Sequence, residues 1–159
     1  MGVTTIRPMS LDHLVEVVSL ETAEQPAPWS EQIFRDELSA QNRCYLVAGA
    51  PIIGFGGVMV VGEEAHVTNL LVAPEHRRKG IARELLARLV DEALEMGARH
   101  LTLEVRESNV AARALYSSMG LAPVGVRRGY YGDEDALIMW AHDIAFRKRR
   151  DDLTQERTG

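Results

Sequence analysis

Between Arg78 and Met96 the apolar side chains Ile81, Leu85, Leu89 and Ala93 recur every four residues, and Leu86, Val90 and Leu94 widen the stripe. That spacing predicts a long amphipathic helix, and Gly97 fits its C-terminal stop. β-rich runs flank it: "AHVTNLLVAP", closed by Pro74, lies before, and "RHLTLEVRE" lies after. Strand, long helix, strand is the pattern of a crossover between parallel strands, so this part of the chain predicts an α/β domain.

The remaining segments extend that reading. "TTIRPM" reads as a short first strand, and Ser10 as the cap of a helix with its stripe through Leu11, Leu14, Val15 and Val18. Pro26 and Pro28 then bar a continuous helix, Ser30 caps a second one through Ile33, Phe34, Glu37 and Leu38, and Trp29 falls on the loop between. "CYLVAG" and "PIIGFGGVMVVG", separated by turn residues, precede "AHVTNLLVAP", which together suggest an antiparallel meander. In "RHLTLEVRE" Leu101, Leu103 and Val105 alternate with His100, Thr102, Glu104 and Arg106, so Glu104 lies on the face that is not simply core. Ser108 or Asn109 caps a shorter helix carrying Ala112, Leu115, Tyr116 and Met119, and "LAPVGVRRGYYG" and "DALIMWAHDI" supply two last strands. The expected architecture is a single mixed central β-sheet flanked by helices, in one domain over residues 1–145, with a polar and flexible tail at 146–159.

Composition narrows the function. A chain of 159 residues, 46% hydrophobic and 26% charged, can bury a core without disulfides or metal, and a single cysteine excludes an internal disulfide framework. A net charge of -5 argues against a general nucleic-acid binder. The start "MGVTTIRPMS" has no signal-peptide core and no apolar run is long enough to cross a bilayer, so the expected compartment is the cytoplasm, with no membrane partner. His13, His66, His76, His100 and His142 show no metal-ligand spacing, so no metal is expected, and Cys44 reads as a small strand residue.

"RRKGIARELL" gathers Arg77, Arg78 and Lys79 before Gly80, at the start of the long helix. A helix N-terminus presents unpaired N–H groups and partial positive charge, so the segment suits a diphosphate. Gly80 lets a ligand approach the backbone, and Ala82 keeps the next contact small. Alone, the same residues also fit a solvated loop easing a tight turn. The glycine and lysine patterns of the common ATP and NAD motifs are missing.

"NLLVAPEHRRKGIARELL" resembles the acetyl-coenzyme A signature of the GCN5-related N-acetyltransferases, Arg/Gln-x-x-Gly-x-Gly/Ala after a strand, with Arg77, Gly80 and Ala82 at the matching positions. "LTLEVRESNVAARALYSSMGL" and "RRGYYGDEDALIMW" are similar to the subgroup that acetylates the N-terminal alanine of ribosomal protein S18. The likeness spans nearly the whole chain except the tail. It implies that the backbone of Leu70, Leu71 and Val72 holds the pantetheine arm of acetyl-CoA, that Arg78, Lys79, Gly80, Ile81, Ala82 and Arg83 hold its pyrophosphate, and that Asn109 touches another part of it. Leu121 stands where the family commonly has Phe, and Ala82 where glycine is more frequent; both changes are mild.

Amide formation from a thioester requires an aligned amine, a base, a stabilised oxyanion and a leaving thiolate. Glu104 is the expected base, directly or through a water, and Tyr116 the expected acid, its phenol protonated at neutral pH. The matching "LEVR" and "ALY" of the family agree. The alternatives are a surface carboxylate paired across strands and an amphipathic ring packed at the core's boundary. An amide of the fourth strand, Leu71, is expected to meet the thioester oxygen. Trp29, Tyr130 and Tyr131 are expected to flank an acceptor groove for a protein N-terminus, with Glu24, Asp133 or Glu134 attracting a basic second residue. Acetylation of a lysine or a small-molecule amine, and a coenzyme A-binding module without turnover, stand as alternatives.

Overall fold

Each segment read as a strand joins one sheet in the computed structural model, which describes residues 4–145. The strands are β1 (Ile6–Pro8), β2 (Arg43–Ala48), β3 (Gly54–Val61), β4 (Glu64–Val72), β5 (His100–Arg106), β6 (Ala122–Arg127) and β7 (Ala136–Ala141). The helices are α1 (Leu14–Glu24), α2 (Glu31–Ser39), α3 (Ile81–Glu95) and α4 (Val110–Ser118). The sheet order is β1-β2-β3-β4-β5-β7-β6; β4 and β5 are parallel and every other pairing is antiparallel. The expected tail at 146–159 lies outside the described residues.

Strand alternation divides the core into two layers. Leu46 and Ala48 of β2, Val58 and Val60 of β3, and Leu101, Leu103 and Val105 of β5 meet the buried stripe of α3, which is Ile81, Leu85, Leu86, Leu89 and Ala93. Tyr45 and Val47 of β2, Phe55 of β3 and Leu71 of β4 meet Leu14, Val17 and Phe34 from α1 and α2. Close approach of α3 depends on Gly56, where an added Cβ would lie 3.0 Å from the Leu89 side chain.

The first helix differs from expectation. A 3-10 turn over Leu11–His13 precedes α1, and with three residues per turn it rephases the chain. The inward face is therefore Leu14, Val17 and Glu21, while Val15 is 79% exposed and Leu11 55%. The caps of α2 and α4 follow the sequence: Ser30 Oγ accepts from Ile33 N–H at 3.2 Å, and Asn109 Oδ1 from Ala112 N–H at 3.2 Å.

Two irregularities shape the sheet's centre. Thr68 is an extra residue in β4, since Gly57 pairs with Asn69 and Val58 with Val67. β4 and β5 are in register only at Glu64 with His100, Ala65 with Leu101 and His66 with Thr102. Beyond that point the strands part, so the C-terminal half of β4 has one unpaired edge, and α3 begins after that same end of the strand.

Candidate active site

Where β4 and β5 diverge there is an open cleft of about 530 Å³. β4 lines it with His66 to Leu71, β5 with Leu103 to Arg106, α4 with Asn109 at its cap and with Tyr116, the α1–α2 segment with Glu21, Gln25, Ala27 and Trp29, and the β6–β7 loop with Tyr130 and Tyr131. The cleft thus brings together Leu70, Leu71, Glu104, Asn109, Tyr116, Trp29, Tyr130 and Tyr131 from the expected set. Val72, Arg78, Lys79, Gly80, Ile81, Ala82 and Arg83 do not line it; they follow where β4 runs out, around the start of α3.

At that start, Gly80 occupies the N-cap of α3 with φ 80°, and no side chain caps the helix. The first helical bond runs from Glu84 N–H to the Gly80 carbonyl at 3.0 Å, which leaves the amides of Ile81, Ala82 and Arg83 outside the helical ladder. No atom lies within 4 Å of where a Gly80 Cβ would stand, so the approach is open. This is a fit for a diphosphate. The Arg83 side chain, however, donates to Ser118 Oγ at 2.6 Å, which commits its guanidinium to α4 and leaves the backbone amide as its contribution to an anion site. Arg77 turns back: its Nε donates to the Val72 carbonyl at 3.1 Å and its Nη2 pairs with Glu24 at 3.3 Å.

The backbone of β4 corrects the expectation for Leu71. Ala73 N–H donates to the Ile53 carbonyl at 2.8 Å, and the alternation of an antiparallel ladder then turns the peptide groups of Leu71 toward β3 and those of Leu70 and Val72 toward the unpaired edge. Leu71 is therefore committed to its partner Phe55, and an oxyanion or pantetheine group at this edge would meet Leu70 or Val72.

Glu104 is more enclosed than a surface carboxylate. Its side chain is only 8% exposed, with Oε2 2.6 Å from His66 Nε2 and Oε1 3.2 Å from Arg127 Nε. Tyr131 O–H donates to the Glu104 carbonyl at 3.2 Å. Neither His66 nor Arg127 was singled out for chemistry, because nothing in their spacing ties residues 38 and 23 positions from Glu104 to it; only the strand order does. Tyr116 is buried, and that desolvation pushes its phenol up to about 12. Cys44 is half-buried, and burial pushes its thiol up to about 11, so it is no poised nucleophile.

The acidic residues expected to draw a basic partner carry partners of their own. Glu24 is paired with Arg77, while Asp133 and Glu134 lie 2.8 and 3.1 Å from Arg106 Nη1, and the same guanidinium sits 4.3 Å over the Tyr131 ring. Arg106 thus answers one of the two loop charges and leaves the pair with a net negative charge, while Glu24 is matched by Arg77. Two further groups of the cleft escaped the sequence reading. Glu21 is 4% exposed, accepts from Trp29 N–H at 2.9 Å, and has its carboxyl raised by burial. Asn69 Oδ1 is buried with no hydrogen-bond partner, an acceptor suited to a bound N–H donor. Trp29 is fixed edge-on to Phe34, ring centroids 5.3 Å apart, and Tyr130 to Tyr131 at 5.0 Å.

Among the described residues no group of three or more His, Cys, Asp or Glu is placed to hold a metal ion, and no helix is long and apolar enough to cross a membrane.

A sequence model described as the acetyltransferase (GNAT) family matches residues 14–121. A protein of Escherichia coli K12 named [ribosomal protein bS18]-alanine N-acetyltransferase is 39% identical over 142 residues, covering 77% of this chain and 94% of that protein. The crystal structure of the ribosomal-protein-S18-alanine N-acetyltransferase from Escherichia coli aligns with a TM-score of 0.79 at 34% identity, over 89% of this chain and 94% of that one. Arabidopsis thaliana NAA60, solved in complex with acetyl-CoA, shares the fold with a TM-score of 0.81 at 18% identity, over 88% of this chain and 98% of that one.

Proposed function

The chain belongs to the acetyltransferase (GNAT) family, and from that premise we propose that it moves an acetyl group from acetyl-CoA to the N-terminal α-amine of a protein, the N-terminal alanine of ribosomal protein S18 foremost. The observation that carries the reading is the joining, by one diverged strand pair, of an uncapped helix N-terminus to a cleft that encloses a carboxylate and a buried phenol. Acetyl-CoA supplies an acyl group already activated as a thioester, so no covalent enzyme intermediate is needed.

The amides of Ile81, Ala82 and Arg83 would hold the pyrophosphate, with Arg78 and Lys79 adding charge, and the edge groups of Leu70 with the Val72 amide would hold the pantetheine arm, the Val72 carbonyl being taken by Arg77. Asn109 has its Oδ1 engaged as a cap and would contribute through its amide nitrogen. Trp29, Tyr130 and Tyr131 would flank the acceptor's backbone, and Asn69 Oδ1 would receive an N–H of the cofactor or the peptide. Glu104 takes the proton of the incoming amine, directly or through a water. Tyr116 would serve the departing sulfur as an O–H donor. Its phenol, near 12, lies far enough above the ~8.5 of an ordinary thiol that full proton transfer would cost about 5 kcal/mol, so it stabilises the thiolate mainly by hydrogen bonding.

Amine chemistry favours the α-amine. Deprotonating a lysine at pH 7 costs about 4.6 kcal/mol and an α-amine about 1 kcal/mol, and a single carboxylate base suits the second. The acceptor would be met in the cytoplasm, where ribosomal proteins are made. The test is acetyl-CoA with peptides beginning Ala, Ser and Met, including the S18 N-terminus, followed by thiol release and mass spectrometry. Acetylation of the α-amine, fastest on the S18 peptide, is the expected result; product only on lysine or small amines, or tight cofactor binding with no product, overturns it.

A further inference from the structure

Glu104 cannot be aimed by its own strand alone, because a glutamate carries three rotatable bonds and β5 has no partner on the cleft side beyond Thr102. The orientation comes from the side. His66 is the last residue of β4 in register with β5, and strand alternation puts its ring on the face that carries Glu104, one diagonal step away. At 2.6 Å from Oε2, and with the carboxylate able only to accept, Nε2 must carry the hydrogen. Arg127 closes on the other oxygen from β6.

Resting on the reading of Glu104 as the base, we infer that His66 is a positioning residue that holds this carboxylate in the cleft and makes its strength as a base depend on the charge of the imidazole. A neutral Nε2–H and an imidazolium both donate to Oε2, so the geometry survives protonation, but the charge does not stay the same. With His66 neutral, Glu104 faces one cation, Arg127; with His66 protonated it faces two, and a carboxylate between two cations surrenders its negative charge to an amine proton less readily. Of the other ionisable groups on this face, Arg106, two residues on along β5, is tied to Asp133 and Glu134 at 2.8 and 3.1 Å and lies over the Tyr131 ring. Arg43, across Met59 on β2, is tied to Glu37 of α2 at 2.6 Å; Glu64 lies one pair back on β4, His100 at the start of β5, and the Tyr131 hydroxyl is committed to the Glu104 carbonyl.

The experiment compares wild type, His66→Ala and His66→Gln, since a glutamine amide can donate from the place of Nε2 without titrating. At pH 8, His66→Ala is expected to lower kcat by about tenfold with KM for acetyl-CoA within about twofold, and His66→Gln to recover most of that loss. The ratio of kcat/KM for His66→Gln to that of wild type is expected to rise at least about threefold as pH falls from 8 to 6. Ionisation of the acceptor amine is common to both enzymes and cancels from this ratio. A flat ratio together with wild-type kcat in His66→Ala overturns the inference while leaving acetyl transfer intact. Should wild type itself transfer nothing, ring nitrogen NMR decides independently: His66 is expected in the Nε2–H form in wild type and to lose that preference in Glu104→Gln, and an unchanged tautomer overturns the inference.

Discussion

At the scale of single residues, the candidate site is a carboxylate held between the Arg127 guanidinium and the His66 imidazole, in a cleft that also holds a phenol kept neutral by burial. Glu104→Gln removes the proposed base and leaves the start of α3 untouched, so kcat/KM is expected to fall at least about tenfold at pH 7, with acetyl-CoA affinity unchanged. The deficit should shrink above pH 8, where solvent delivers the free amine; wild-type rates across the pH range would remove Glu104 from its role. Tyr116→Phe should lower kcat by about tenfold and also leave a thermodynamic trace. Because burial raises the folded-state phenol to about 12 from about 10, the folded protein holds a proton there that the unfolded chain releases, and the stability tied to it is complete below pH 10 and lost as pH rises toward 12. Denaturant titrations at pH 9 and 11.5 should therefore show a smaller alkaline loss in Tyr116→Phe, by about 2 kcal/mol. The place of Glu104 on the cleft face was legible because it alternates with Leu103 and Val105. His66, Arg127, Glu21 and Asn69 were not, since what recruits them is strand order and the turn of α1, neither of which leaves a local mark in sequence.

At the scale of elements, β4 leaves β5 after His66 and then carries an extra residue at Thr68, and one side-chain network sits at that bend. The Tyr45 hydroxyl donates to Glu37 Oε2 at 3.1 Å and shares a 3.1 Å hydrogen bond with the hydroxyl of Thr68, the extra residue of β4. Its ring lies across Gly57, where a Cβ would fall 2.1 Å from a ring carbon. Gly57→Ala must therefore displace the ring, with a stability loss of about 1–3 kcal/mol and a fall in kcat that Gly62→Ala, in open space on the β3–β4 turn, does not share. Equal activity in the two variants would separate the bend from the chemistry. Gly80→Asp acts at the other end of β4, adding a side chain and negative charge beside the uncapped amides of α3, and acetyl-CoA affinity is expected to drop at least about tenfold. Strands and α3 were readable because period-2 and period-3.6 patterns are local. The phase of α1 was not, because a three-residue 3-10 turn ahead of it rotated the buried face away from Val15. Nor was the fate of the Leu71 amide, which depends on the parity of pairing with β3 and on the bulge at Thr68.

At the scale of the whole molecule, the two halves of the sheet meet through a short stretch of parallel pairing beside the cleft. β4 and β5 share three register pairs, yet one core cluster runs from Leu46 and Val58 on one side to Leu103 and Met139 on the other, under α3. The two halves of the sheet should thus unfold together, and a ligand gripping β4 and the start of α3 must stabilise all of it by mass action. With coenzyme A at about 100 times its Kd, the added stability is about 2.7 kcal/mol, which for a chain of this size corresponds to a rise in Tm of roughly 5–10 °C. A single transition that moves upward as a unit is the expected melting curve. Gly80→Asp should abolish most of the rise, and ATP or NAD at the same concentration should not reproduce it, because neither offers an amide-bearing arm for the edge groups of Leu70 and the Val72 amide. Two separate transitions, only one of them sensitive to coenzyme A, would show instead that the splay divides the molecule; no shift at all would remove coenzyme A from the start of α3.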